Sequence, residues 1–191
     1  MAHKFSHKKM ELLESEERRR WQNPPSILQE LGLKRDDVVV DLGCGTGFFA
    51  RPASMQVGDS GKVYAVDISP QMLAECRRLA DAEGLSNLTT VLSEETNVPL
   101  PDGLADWVLI INVLHEAEDR VAFLKEASRL LKGTGNLAII DWRKQRTATI
   151  GPPVAERLDM QDVLTLVSQV DLKATSSPNF GMYHYSVIAQ R

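Results

Sequence analysis

The spacing of apolar positions changes character along the chain. Up to about residue 32 they are sparse, at Met10, Leu12, Leu13 and Trp21, with charges crowded between them; this reads as helix, broken at Pro24-Pro25. A second short helix is expected from Pro25 to Leu31, with proline at its start and Gly32 just past its end. From Asp36 onward short β-branched runs alternate with amphipathic stretches. Val38 to Leu42 is a continuous run, as in a strand buried on both faces. Thr46 to Met55 reads as a helix shortened or kinked by Pro52, and Lys62 to Val66 as a strand ended by Asp67. Ser69-Pro70 opens a helix that runs to about Glu83 and is stopped by Gly84. Further strands are predicted at Leu88–Leu92, Asp106–Ile111, Gly135–Asp141 and Tyr183–Ala189, with a weaker candidate at Leu172–Ser176. Helices are predicted at Asp119–Leu131 and Val154–Val170. Such alternation forces right-handed parallel crossovers and a three-layer α/β sandwich, which binds ligands outside the carboxyl ends of its strands.

At 191 residues the chain is long enough for one domain, read as residues 36–191, behind a helical appendage or lid at 1–35. The longest aliphatic runs, Val108–Ile111 and Leu137–Ile140, fall far short of the roughly 20 residues of a membrane span. The basic start, Met1 to Lys9, lacks the apolar stretch of a secretory signal. Two cysteines, Cys44 and Cys76, cannot build a disulfide framework, and His3, His7, His115 and His184 lack zinc spacing. A cytoplasmic protein without a metal is the resulting expectation. The net charge of −4 argues against a broad nucleic-acid face. Residues 1–35 hold eight Lys/Arg against five Glu, read as a solvated helix laced with ion pairs. If the chain associates, an isologous dimer is the expected form.

The candidate chemistry lies in Asp41-Leu42-Gly43-Cys44-Gly45-Thr46-Gly47. Three glycines between a buried strand and a helix let the backbone pass close beneath a ligand. Asp67 follows 20 residues after Gly47 at the tip of the second strand, where a carboxylate accepts from both hydroxyls of a ribose. A dinucleotide site needs a third glycine where Phe48 stands, and Asp41 would repel a pyrophosphate but suit a cation. Both features turn the reading from NAD toward a ligand with a positive centre.

With Val66-Asp67-Ile68-Ser69, Asn97-Val98-Pro99-Leu100-Pro101-Asp102, Asp106-Trp107-Val108 and Leu114-His115-Glu116, this loop resembles the class I S-adenosylmethionine-dependent methyltransferases. The similarity is to the small-molecule branch that includes quinone-biosynthesis and arsenite methyltransferases. It covers roughly residues 26–141. The resemblance implies a Rossmann-like, seven-stranded, mostly parallel sheet with an antiparallel last strand. It also implies S-adenosylmethionine as cofactor and S-adenosylhomocysteine as product. Asp41 and the backbone of Gly43, Cys44, Gly45 and Gly47 would hold the methionine portion, Asp67 the ribose, and Ile68 the adenine face. Glu94 sits where relatives carry an acid near the adenine amino group, with Glu95 beside it. Asn112 would line the opening toward substrate.

Displacement at a sulfonium needs chiefly positioning, and a base only where the acceptor is protonated. His115 is the candidate base, with a packing or capping role as its alternative. Trp142, and Trp21 from the appendage, are candidate walls for a small-molecule acceptor. The loop Asn112-Val113-Leu114-His115 lacks the prolines and aromatic of amino-methylating enzymes that act on DNA bases or glutamine. The competing readings are a cofactor-binding module without catalysis, an RNA-modifying subunit and an NAD(P)-dependent oxidoreductase.

Overall fold

A computed structural model describes residues 13–145 and 150–191; the expectations for Met10, Leu12 and the basic start lie outside them. Two short helices come first, α1 (Glu16–Trp21) and α2 (Pro24–Leu31). The Ser15 hydroxyl caps α1 by accepting from the Arg18 amide, and Asn23 caps α2. Gly32 ends α2 in the left-handed conformation. The strands are β1 (Val38–Leu42), β2 (Lys62–Asp67), β3 (Leu88–Leu92), β4 (Ala105–Ile111), β5 (Leu131–Trp142), β6 (Lys173–Ser176) and β7 (His184–Gln190). Between them run α3 (Ala50–Val57), α4 (Pro70–Ala82), α5 (Arg120–Leu130) and α6 (Met160–Ser168).

The sheet order is β3-β2-β1-β4-β5-β7-β6, and only β7 runs against its neighbours. Successive residues of the central strands face opposite layers, following the two-residue period of a strand. Val39, Leu109 and Ala138 pack with Leu28, Ala53 and Leu73 on one face; Val40, Ile110 and Leu137 pack with Leu124 and Val163 on the other. This is the expected three-layer sandwich, and it brings the carboxyl ends of β1, β2, β4 and β5 to one rim.

Two helix expectations are corrected. The helix expected from Thr46 begins at Ala50, because Gly43, Gly45 and Gly47 all hold positive φ and residues 43–49 form turns. Pro52 then falls in the first turn of α3, where its missing N–H costs nothing. The helix expected over 154–170 is divided into a 3-10 turn (Val154–Glu156) and α6. Asp159 and Asp162 form a capping box that starts α6 afresh. β5 also begins earlier than expected, at Leu131, straight out of α5 with no connecting loop. The weak candidate at Leu172–Ser176 forms the edge strand β6.

Candidate active site

The glycine turn is held from below by the tip of β2. Asp67 accepts the Gly45 amide on Oδ2 at 2.8 Å and the Ser69 amide on Oδ1 at 2.9 Å. The Val66 carbonyl takes the amides of Gly43 and Cys44. Gly45 has φ +54°, and among the described residues a Cβ placed on it would have only Leu13 Cδ1 within 4 Å, at 3.4 Å. Gly47 differs: a Cβ there would come within 2.6 Å of Cys76 Sγ on α4. Gly45 thus keeps a surface open above the turn, whereas Gly47 lets α4 pack against it. Cys44 and Cys76 are buried and free. Burial raises the Cys44 thiol well above its ordinary range, which leaves it a packing residue.

Asp41, at the end of β1, is 3% exposed, and its Oδ2 has no hydrogen-bond partner. Burial, with the charge of Asp67 added, pushes its pKa up to about 7. A buried carboxylate in this condition favours a proton or a cation beside it. Between about pH 4, where an ordinary aspartate ionises, and about pH 7, the folded chain keeps a proton that the unfolded chain has lost. Asp41 therefore subtracts stability as pH rises through that window. Asp41→Asn is expected to raise the thermal midpoint of the ligand-free chain at pH 8, to change it far less at pH 4, and to weaken cofactor binding. Calorimetric scans at the two pH values check the sign.

The N-terminal segment lies over this turn. Glu14 accepts from Thr46 Oγ1 at 2.6 Å and pairs with Arg51 at 2.5 Å, while Arg51 also pairs with Glu83. The Arg18 guanidinium stands 4.0 Å over the Phe48 ring and donates to the Leu13 carbonyl and Gln22 Oε1. Asn112, at the end of β4, adopts φ +59° and donates through Nδ2 to Gln22 Oε1 at 3.0 Å.

The other half of the rim is built on β4, β5 and β7. His115 follows β4 in a 3-10 turn (Leu114–Glu116) and is 4% exposed. Its Nδ1 meets Asp141 Oδ1 at 2.8 Å, its amide donates to Asp141 Oδ2 at 3.1 Å, and Nε2 lies 3.7 Å from Glu116 Oε1. Asp141 also accepts the Trp142 amide. Burial pulls the His115 pKa down, but the hydrogen bond and charge of Asp141, backed by Glu116 and Glu156, outweigh it and hold the pKa above the ordinary value. Trp142 forms a tilted pair with His184 at 4.4 Å, and Trp21 packs on both rings. Burial, with the charges of Arg18, Arg143 and Arg157, pushes His184 down to about 3; its imidazole stays neutral, and neither ring nitrogen has a partner.

Two comparisons bear on this geometry. Residues 40–139, the sheet segment that carries the glycine turn, match the family described as a methyltransferase domain. The chain is also 33% identical to a SAM dependent methyltransferase from Aquifex aeolicus, over 97% of this chain and 98% of that one, with a TM-score of 0.93. The chain belongs to the S-adenosylmethionine-dependent methyltransferases. Among curated members of this methyltransferase family, the ubiquinone/menaquinone biosynthesis C-methyltransferase UbiE of Chromobacterium violaceum is 35% identical over 114 residues, 59% of this chain and 46% of that protein. The demethylmenaquinone methyltransferase of Staphylococcus saprophyticus is 28% identical over 136 residues, 71% of this chain and 57% of its own. The chain spans about half the length of the curated relatives it matches. S-adenosylmethionine is the cofactor of the family, and the residues present fit it: an unpaired buried acid suits its cationic centre, and the turn leaves open surface at Gly45.

The fold gathers Asp41, Gly43, Cys44, Gly45, Gly47, Asp67 and Ile68 at one end of the rim and Asn112, His115, Trp142 and Trp21 at the other. Ile68 is 41% exposed at the tip of β2, as an apolar contact surface requires. Glu94 is exposed in the loop after β3, whereas Glu95 accepts the Glu118 amide at 2.7 Å and so ties that loop to the start of α5. The sequence reading missed three contributors. Asp141 stands 26 residues from His115 and meets it only because β4 and β5 are neighbours. Arg18 and Gln22 sit in a charged segment with no apolar stripe to mark a buried face. Among the described residues no cluster of His, Cys, Asp and Glu is arranged to hold a metal, and no helix is long and apolar enough to cross a membrane.

Proposed function

We propose that the chain methylates a small-molecule acceptor seated at the carboxyl ends of β4 and β5, with His115 as general base. The observation that carries this reading is the juxtaposition on one rim of the Asp41–Asp67 turn and the His115–Asp141 pair. S-adenosylmethionine supplies a sulfonium-bound methyl group for in-line displacement by the acceptor. Asp67 accepts from the ribose hydroxyls, Ile68 lies against the adenine, and Glu94 serves the adenine amino group with Glu95 behind it. Asp41 and the backbone of Gly43–Gly47 hold the methionine end, and Asn112 lines the opening from the cofactor toward the acceptor. Asp141 keeps the His115 proton on Nδ1, which leaves Nε2 to take a proton from the acceptor. Trp142 and Trp21 wall the acceptor side and help to exclude water. The names of the curated relatives favour a quinone-type ring as acceptor. The described part of the segment before β1 lies against the glycine turn through Glu14 and Arg18. The reading takes the chain to be cytoplasmic, with no nucleic-acid partner, and an isologous dimer where it associates.

The test is a set of parallel titrations with S-adenosylhomocysteine, S-adenosylmethionine and NADH, followed by thermal shift and calorimetry. The two adenosyl ligands are expected to bind and NADH to leave the midpoint unmoved; stabilisation by NADH alone would sink the assignment. Asp67→Ala is expected to weaken S-adenosylhomocysteine by about 1–3 kcal/mol, the scale of a lost charge-assisted hydrogen bond. Undiminished affinity in that variant would remove Asp67 from the ribose role.

A further inference from the structure

The residues that lie on the glycine turn in this structure belong to the chain itself. Leu13 approaches the side of Gly45 that a Cβ would occupy, its Cδ1 3.4 Å from that position. The Glu14 carboxylate holds the Thr46 hydroxyl within the turn and the Arg51 guanidinium behind it. Arg18 brings a buried guanidinium to Phe48, and the charge of Asp41 is among those that act on it. The open side of Gly45 is therefore already faced by an apolar side chain of the N-terminal segment, with the Arg18 guanidinium beside the turn, while Asp41 Oδ2 is left without a hydrogen-bond partner.

The match is incomplete in an informative way. Among the described residues Asp41 Oδ2, Gln22 Nε2 and Asn112 Oδ1 are all buried without a hydrogen-bond partner; Gln22, just past α1, meets Asn112 on the rim. Buried polar atoms left unpaired oppose the state that buries them. A segment designed to stay would satisfy them. Residue 21 behaves differently from residues 13–18: Trp21 is fixed between Trp142, Tyr183 and His184, and the Pro24-Pro25 start of α2 follows directly.

We propose that Leu13–Arg18 is a built-in competitor of the cofactor: in this arrangement it lies on the glycine turn that the cofactor would use, and it is displaced when S-adenosylmethionine binds, swinging about the anchored Trp21. The proposal rests on the cofactor reading above and assigns the segment a sign that a simple lid does not have. A lid adds contacts to bound ligand, whereas a competitor must first be removed, so the apparent affinity is the intrinsic affinity scaled by the fraction of chains with the segment released.

The experiment uses the full chain and S-adenosylhomocysteine as probe. Calorimetric titrations compare the parent with Arg18→Ala and Glu14→Gln, and hydrogen exchange is followed by peptide mass spectrometry with and without saturating ligand. Both variants are expected to bind about tenfold more tightly. Amides of 13–19 are expected to exchange faster on saturation, while those of 43–47 and 67–69 exchange more slowly. Weaker binding by both variants, with slower exchange in 13–19, would overturn the proposal and make the segment a lid over bound cofactor. Unchanged affinity in both would also overturn it. If neither parent nor variants bind and the exchange of 43–47 is unmoved, the cofactor reading itself fails, and the competitor with it.

Discussion

Gly45→Ala is expected to lower S-adenosylhomocysteine affinity by at least thirtyfold, on the order of 2 kcal/mol or more at 1.4 kcal/mol per tenfold, while the chain still folds. Among the described residues the added methyl has no neighbour closer than Leu13 Cδ1 at 3.4 Å, an ordinary van der Waals contact. A left-handed alanine costs roughly 1–2 kcal/mol, which for a domain of this size lowers the thermal midpoint by about 2–8 °C. The methyl does, however, stand on the face of the turn proposed to meet the cofactor. Gly47→Ala provides the contrast. Its methyl would be driven to 2.6 Å from the buried Cys76 Sγ, and φ +84° adds strain, so this variant is expected to lose stability before it loses anything else. Paired melts and titrations of the two variants separate a ligand-facing glycine from a packing glycine. Equal damage to stability by both would show that the turn has no open face.

Turnover is expected to rise with pH through one ionisation above the ordinary histidine value of about 6.5, and His115→Ala is expected to lose both that inflection and about 10²–10⁴ of the rate. The influences that set it are burial, which lowers it, and Asp141 from β5, Glu116 beside the ring and Glu156 from the 3-10 turn, which raise it. Asp141→Asn removes the largest raising influence, leaving burial to act, so the inflection is expected to move down while S-adenosylhomocysteine affinity holds. The same linkage reaches folding. The contribution of His115 to stability is complete below its unfolded pKa and is lost as pH rises through the higher folded value. Initial rates across pH, with kcat and KM separated, check the assignment. A drop in cofactor affinity equal to the drop in kcat would make the His115–Asp141 contact a clamp between β4 and β5 instead.

What could be read along the chain was what local chemistry decides. Val38–Leu42 announces a buried strand by its β-branched run, and Ser69-Pro70 announces the start of α4 by cap and ring geometry. The glycine turn and Asp67 are legible because their chemistry depends on short spacings. Helix starts were misjudged where a local device overrides the apolar period: left-handed glycines postpone α3, and the Asp159–Asp162 box restarts the chain at α6. The least legible features join distant segments. Nothing about Asp141 marks it as the partner of His115 until β4 and β5 align, and nothing in Glu14 or Arg18 distinguishes a buried contact from a solvated helix face until α1 is laid on the turn. His184 looked like one of four scattered histidines, and its neutrality comes from the rings and arginines that tertiary structure places around it.

The reversed direction of β7 has a consequence for how this protein tolerates insertion. Pairing of β5 with β7 sets Trp142 opposite His184 and Asp141 opposite Tyr185, so each rung of that ladder sends one ring to one face and the next to the other. A one-residue slip would exchange the two faces: the phenol would replace the imidazole beside Trp142, and the imidazole would be carried round toward the His115 side. Lengthening the connection between β6 and β7 shifts no rung and should be absorbed. A residue added within His184–Gln190 should rewrite the chemistry of the proposed acceptor wall while leaving the glycine turn, on the far strands, as it was.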